Sequence, residues 1–201
     1  ETTITEKIKV YAEGLNIKRG IFRSLPLWRN VNGKKIRIKY EVISVLKNGA
    51  KEEYHTENTN ADYAIYFGSK DLILNPGVYE YELTYKTSDQ IGFFKDYDEF
   101  YWNVNGTLWN FPVDQISAKV TLPENAEITQ KSCYTGSYGA NTSNCTGTAL
   151  SKNTIEWAAK NLGSNEGLTI AVGFKKGIFT PPPPPGLLEK YGILAVLITA
   201  I

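Results

Sequence analysis

Asp96, Asp98 and Glu99 fall within four positions of KDYDEFYWN, directly ahead of Tyr101 and Trp102. Oxygen donors this close could ligate a hard cation such as calcium, or act as the paired acids that cleave a glycosidic bond. The spacing lacks the turn glycine and the later bidentate glutamate of an EF-hand loop, so no metal ion is assigned. The bland reading is that these carboxylates are solvated at a turn, or tied to Arg19, Arg23 or Arg29 across the fold. Trp102 and Trp109 bracket the Asn105-Gly106 turn signal. Two indoles at facing positions of a hairpin either close the end of a β-sandwich or stack on sugar rings. Packing is the favoured role, and the binding candidate is the set Tyr101, Trp102 and Trp109 with Asp98 and Glu99.

Other catalytic groups are scarce. His55 is the single histidine, in the polar stretch KEEYHTEN, with no positioned partner for acid–base work. Neither a Ser-His-Asp order nor a Gly-x-Ser-x-Gly elbow occurs. No catalysis and no cofactor are expected.

Cys133 and Cys145 enclose YTGSYGANTSN, polar and glycine-containing, and are read as a disulfide. Two cysteines and one distant histidine cannot supply four ligands to zinc. A disulfide points outside the cytoplasm. Charge is nearly balanced, with 22 Lys plus Arg against 21 Asp plus Glu, which gives no basic field for nucleic acid.

The elements that must hold these residues are strands. In VYEYELTYKT, Tyr79, Tyr81, Leu83 and Tyr85 share one face while Glu80, Glu82, Thr84 and Lys86 share the other. KIRIKYEVISV alternates likewise and slips phase at Val42-Ile43, as a bulge would require. DYAIYFGS, ISAKVTLP, TIEWAA and LTIAVGF follow the same rule. Asn32-Gly33, Asn48-Gly49, Asn75-Pro76-Gly77, Asn105-Gly106 and Leu162-Gly163-Ser164 punctuate them as turns. GIFRSLPLWRN, whose Pro26 cannot donate to a ladder, suits an edge strand or a crossover.

Sheets with one apolar face must close on one another, so the expectation is all-β, either one large β-sandwich or two packed sandwich subdomains. Residues 1–112 form the first unit and 113–176 a second β-rich subdomain carrying the Cys133–Cys145 loop. Residues 177–191, with five consecutive prolines, make a stiff spacer. Residues 192–201 are an apolar run about half the length of a spanning helix, read as the start of a transmembrane segment. The chain contains no methionine, which is read as a start inside a longer precursor.

Three stretches carry a resemblance: GIFRSLPL, DYDEFYWNVNGTLWNFPVDQISAKVTLP and CYTGSYGANTSNC. Together they resemble the DUF2207 family, bacterial predicted membrane proteins of uncharacterised function. The resemblance implies a signal peptide, an extracytoplasmic β-rich domain, then membrane spans. It also implies that ETTITEKIKVYAEG corresponds to the second strand of that domain, the leader and usual opening strand being missing here. It carries no catalytic residues. The expected function is a membrane-tethered extracytoplasmic recognition or structural domain, held to the membrane by its C-terminal segment and meeting an unknown protein or glycan. The alternative is a carbohydrate or cell-wall binding module using the exposed aromatics.

Overall fold

The computed structural model describes residues 1–31 and 34–181, and the segment expected to begin a membrane span lies outside them. Every regular element among these residues is a β-strand. One sheet has the order β1 (Thr2–Ala12), β9 (Gly77–Thr87), β5 (Tyr40–Lys47), β6 (Ala50–Lys51). A second has the order β2 (Phe22–Pro26), β8 (Asp62–Phe67), β7 (Tyr54–Asn58). A short ribbon joins β3 (Trp28–Val31) to β4 (Lys34–Arg37). The third sheet is β10 (Ile91–Phe93), β11 (Asp98–Asn103), β16 (Gly167–Phe174), β13 (Ile128–Gly136). The fourth is β12 (Val113–Thr121), β15 (Thr154–Leu162), β14 (Cys145–Ala149).

The period-two pattern dictates which faces meet. Tyr81, Leu83 and Tyr85 of β9 are buried and pack towards β8, with the Phe67 and Tyr81 rings 5.7 Å apart. Tyr40 of β5 stacks on Tyr63 of β8 at 5.7 Å, so the first two sheets face each other. In the other half Ile155 and Trp157 of β15 and Leu168, Ile170, Val172 and Phe174 of β16 are buried. Gly147 of β14 lies opposite Trp157, and a Cβ there would come within 2.8 Å of the indole nitrogen, so the indole requires glycine as its neighbour. Between the first and third sheets the Tyr85 and Trp102 rings approach to 6.4 Å. The ladder crosses residue 113, because β11 hydrogen-bonds to β16.

The phase slip is a bulge: Val42 pairs with Tyr85 and Ser44 with Thr84, leaving Ile43 unpaired and half exposed. Asn48 and Gly49 both take positive φ and close the tight β5–β6 hairpin. Pro26 ends β2 at the edge of its sheet, where no ladder donor is missed. KIRIKYEVISV, read as one strand, is two: it breaks at Ile38, which is buried and donates its N–H to the Leu27 carbonyl at 2.9 Å. Burial of one isoleucine there outweighs continuity of alternation.

Burial also leaves a polar group unpaired. Among the described residues the Tyr81 hydroxyl finds no hydrogen-bond partner. Burial, then the nearby Glu52 carboxylate, pushes its pKa up to about 12. Burial likewise raises Tyr40 to about 12, against the pull of Arg23. An unfolded tyrosine ionises near pH 10, so the unfolded chain releases these protons first. The stabilisation is therefore complete below about pH 10 and disappears between about pH 10 and 12. Tyr81→Phe is expected to hold or raise stability at neutral pH by up to about 1 kcal/mol, and to move the alkaline unfolding midpoint upward. Urea melts at pH 7 and circular dichroism against pH check this; a loss above 1 kcal/mol at neutral pH would mean the hydroxyl is satisfied.

Candidate functional site

Residues on β11 alternate, and the alternation divides the candidate set. Asp98, Phe100 and Trp102 turn inward, at 1%, 6% and 8% exposure, whereas Tyr101 is 43% exposed on the opposite face. A strand cannot place neighbouring side chains on one surface. Trp102 packs on Phe100 at 6.1 Å and on Tyr85, as part of the core.

Trp109 does not face Trp102 across a hairpin. After β11 the chain crosses to another sheet, and β12 pairs with β15. The reason is local: Asn103 Oδ1 accepts from Gly106 N–H at 3.1 Å, and Asn105 Oδ1 accepts from Leu168 N–H at 2.9 Å. These bonds fold residues 103–106 against β16 and consume the amides a hairpin would need. Trp109 is half-buried, donating its indole N–H to the Asn105 carbonyl at 2.7 Å and meeting the Phe111 ring edge-on at 5.0 Å.

The acids separate too. Asp98 accepts from Lys176 Nζ at 3.1 Å. Glu99 is half-buried, and burial raises its pKa while the Arg29 guanidinium pulls it down. Arg29 is anchored on the Gln90 carbonyl. Asp96 is exposed in the turn before β11. Among the described residues no cluster of three or more His, Cys, Asp or Glu could hold a metal ion. His55 stands exposed on edge strand β7, stacked on Tyr66 at 4.8 Å with Glu57 3.8 Å away.

Cys133 and Cys145 form a disulfide. It links β13 to β14, which belong to different sheets, so the bond staples the third sheet to the fourth. The enclosed loop carries its own bonds, including Thr135 N–H to the Thr142 carbonyl at 2.7 Å and Ser143 Oγ to the Cys133 carbonyl at 2.9 Å.

Two features escaped the reading of the sequence. The first is a buried ionic knot. Arg23, 2% exposed, donates Nε–H to Glu6 Oε2 at 2.8 Å, Nη1–H to the Ser24 carbonyl at 2.8 Å and Nη2–H to the Asn103 and Val104 carbonyls at 3.3 and 3.0 Å. The Tyr85 hydroxyl donates to the other Glu6 oxygen at 2.7 Å. The one signal was an arginine among Phe22, Leu25 and Leu27, without any hint of its partner. The second is a groove of about 1060 Å³ between β1 and β12, with Phe100, Trp102 and Ile170 along its floor. Its walls are distant in sequence, so no local pattern could announce it.

A family described as "Predicted membrane protein (DUF2207) N-terminal domain" matches residues 1–174. The chain is also similar to "Uncharacterized protein YciQ" of Escherichia coli (strain K12), at 31% identity over 111 residues. That match covers 55% of this chain and 18% of the relative, so the chain spans less than a fifth of that protein. No solved structure matches.

Proposed function

Because this chain belongs to the DUF2207 family of predicted membrane proteins, we propose that it is a non-enzymatic recognition or structural domain displayed on the extracytoplasmic side of the membrane. In this reading residues 1–112 and 113–176 are two packed subdomains, 177–191 are a spacer, and 192–201 lead into the bilayer. The observation that carries the side is the Cys133–Cys145 disulfide, since such bonds persist in oxidising compartments and are rare in reducing ones. The separation of Asp98 and Glu99 onto opposite faces of β11, with His55 on β7 of another sheet, supports a role without catalysis.

The test uses the full-length protein in its cells. Membranes are isolated, and intact cells with a permeabilised outer layer are treated with a protease and with maleimide before and after reduction. Expected are a membrane-bound protein, cleavage of the domain from the outer side, and thiols that label only after reduction. Protection from outside protease, with freely labelled cysteines, would overturn the placement.

A weaker reading is the carbohydrate or cell-wall binding module. It rests on the exposure of Tyr101, with Glu99 on the same face of β11. Buried Trp102 supplies no stacking surface there. Loss of cell-wall glycan binding in Tyr101→Ala, with folding intact, would favour it.

A further inference from the structure

We propose that β7 is a self-association edge, through which two copies of this chain pair antiparallel along Tyr54–Asn58 with Thr56 on the two-fold axis. This goes beyond the recognition or structural role proposed above and stands on the β7 edge alone.

Among the described residues β7 pairs with β8 only, and every one of its residues is exposed. Its ladder with β8 is unbroken, and YHTEN has neither the proline nor the lysine with which edges are commonly blunted. The other edge of the same sheet, β2, ends in Pro26.

Two bonds at the ends of β7 fix which backbone groups are open. The Glu53 carbonyl accepts from the Gly68 N–H at 2.8 Å, and the Thr59 N–H donates to the Asp62 carbonyl at 2.9 Å. Glu53 and Thr59 therefore turn towards β8, and ladder alternation turns His55 and Glu57 the same way. The N–H and C=O groups of Tyr54, Thr56 and Asn58 point to the open edge, and a second strand must bond to these.

Charge then selects one register. Centred on Thr56, an antiparallel copy sets Tyr54 against Asn58, Thr56 against Thr56 and His55 against Glu57. The His55–Glu57 contacts fall at non-hydrogen-bonded positions, where facing side chains come closest, and the symmetry repeats the contact on both sides of the axis. Centring on His55 instead would oppose His55 to His55 and Glu57 to Glu53, and centring on Glu57 would oppose Glu57 to itself. Within one copy His55 Nε2 and Glu57 Oε1 are 3.8 Å apart, too far for a hydrogen bond, and both side chains are more than half exposed. Each is thus available to the other copy. Tyr66 of β8 stacks on the imidazole at 4.8 Å and on Phe22 of β2 at 5.6 Å, which holds His55 on the face it shares with Glu57.

Strands this short bury less than the roughly 1,200 Å² of a stable soluble complex, so the contact is weak at dilution. Confinement to a membrane raises the effective concentration of one copy near another. The chain's family is one of predicted membrane proteins, and the test is therefore made in membranes.

Thr56→Cys in the full-length protein, in isolated membranes given a mild oxidant, should yield a product of twice the chain mass. Facing Cα atoms there would lie about 5.5 Å apart, within the span of a disulfide. Tyr54→Cys alone should not cross-link, its copies lying about 13 Å apart along the strands, whereas Tyr54→Cys mixed with Asn58→Cys should. Adding Glu57→Lys to Thr56→Cys should lower the yield at least about fivefold, and adding His55→Glu as well should restore it. General loosening of the sheet would not be repaired by reversing both charges. Four results would overturn the proposal: no Thr56→Cys product although maleimide labels the thiol, an equal product from Tyr54→Cys, a product containing a different protein, or no recovery on charge reversal. Protease access reads the membrane placement separately. Should the protein fractionate away from membranes, the same cross-links are read on the purified protein at about 1 mM, the effective concentration a short tether provides.

Discussion

Arg23→Ala is expected to lower unfolding free energy by about 3–5 kcal/mol. Arg23 and Glu6 have side-chain exposures of 2% and 12%, so removing the cation leaves a carboxylate in a poor solvent. The Ser24, Asn103 and Val104 carbonyls lose their donors in the same step. Burial by itself lowers the Arg23 pKa, but Glu6 and then Tyr85 outweigh it and leave the value above that of an ordinary arginine. The guanidinium is thus charged at every working pH. Because the knot ties β1, β2 and β9 to the end of β11 and Val104 after it, its loss loosens three sheets together. Urea denaturation of Arg23→Ala measures the effect. Arg23→Met paired with Glu6→Gln should recover part of it, since no unpaired charge remains. A loss below about 1 kcal/mol in Arg23→Ala would show that water reaches Glu6.

Replacing both Cys133 and Cys145 by serine is expected to cost about 3 kcal/mol, and reduction by dithiothreitol should reproduce the loss. The estimate follows from the sequence separation of 12 between the sulfurs and from the freedom that the open loop would regain when unfolded. For a domain of this size that is a fall in melting temperature of about 6–12 °C. Trp157, buried beneath the stapled strands, gives a fluorescence readout of that layer. If the melting temperature stays unchanged, the bonds of Thr142 and Ser143 already close the loop and the covalent link adds little.

The β class was legible because it depends on near neighbours. Tyr81, Leu83 and Tyr85 repeat every second position, and only a strand puts such residues on one face. The Val42–Ile43 slip and the Asn48–Gly49 turn were legible for the same reason, a local break in a local pattern. The break at Ile38 was missed because alternation continues through it; only the distant Leu27 carbonyl makes a bend there favourable.

The candidate site fared differently. A count of seven from Trp102 to Trp109 fits a hairpin, but the side chains of Asn103 and Asn105 take amides from the turn and from β16 instead. Two competing hydrogen-bond schemes of similar strength cannot be ranked without the third strand. For the acids, Arg19, Arg23 and Arg29 were the named partners: Arg29 does face Glu99, while Asp98 found Lys176 and Arg23 found Glu6. Opposite charges attract whatever their separation in sequence, so composition limits the pairs and the chain path selects them.

Strands, their apolar faces and the bulge were set by residues within a few positions of each other, where sterics and pleat leave little choice, and the two cysteines had only each other as partners. Which edges remained unladdered, which side chains of β11 turned inward, and where one arginine could be buried were decided only by sheets assembled from strands far apart along the chain. Those long-range pairings depend on the sum of many weak contacts, and no short stretch of sequence contains that sum.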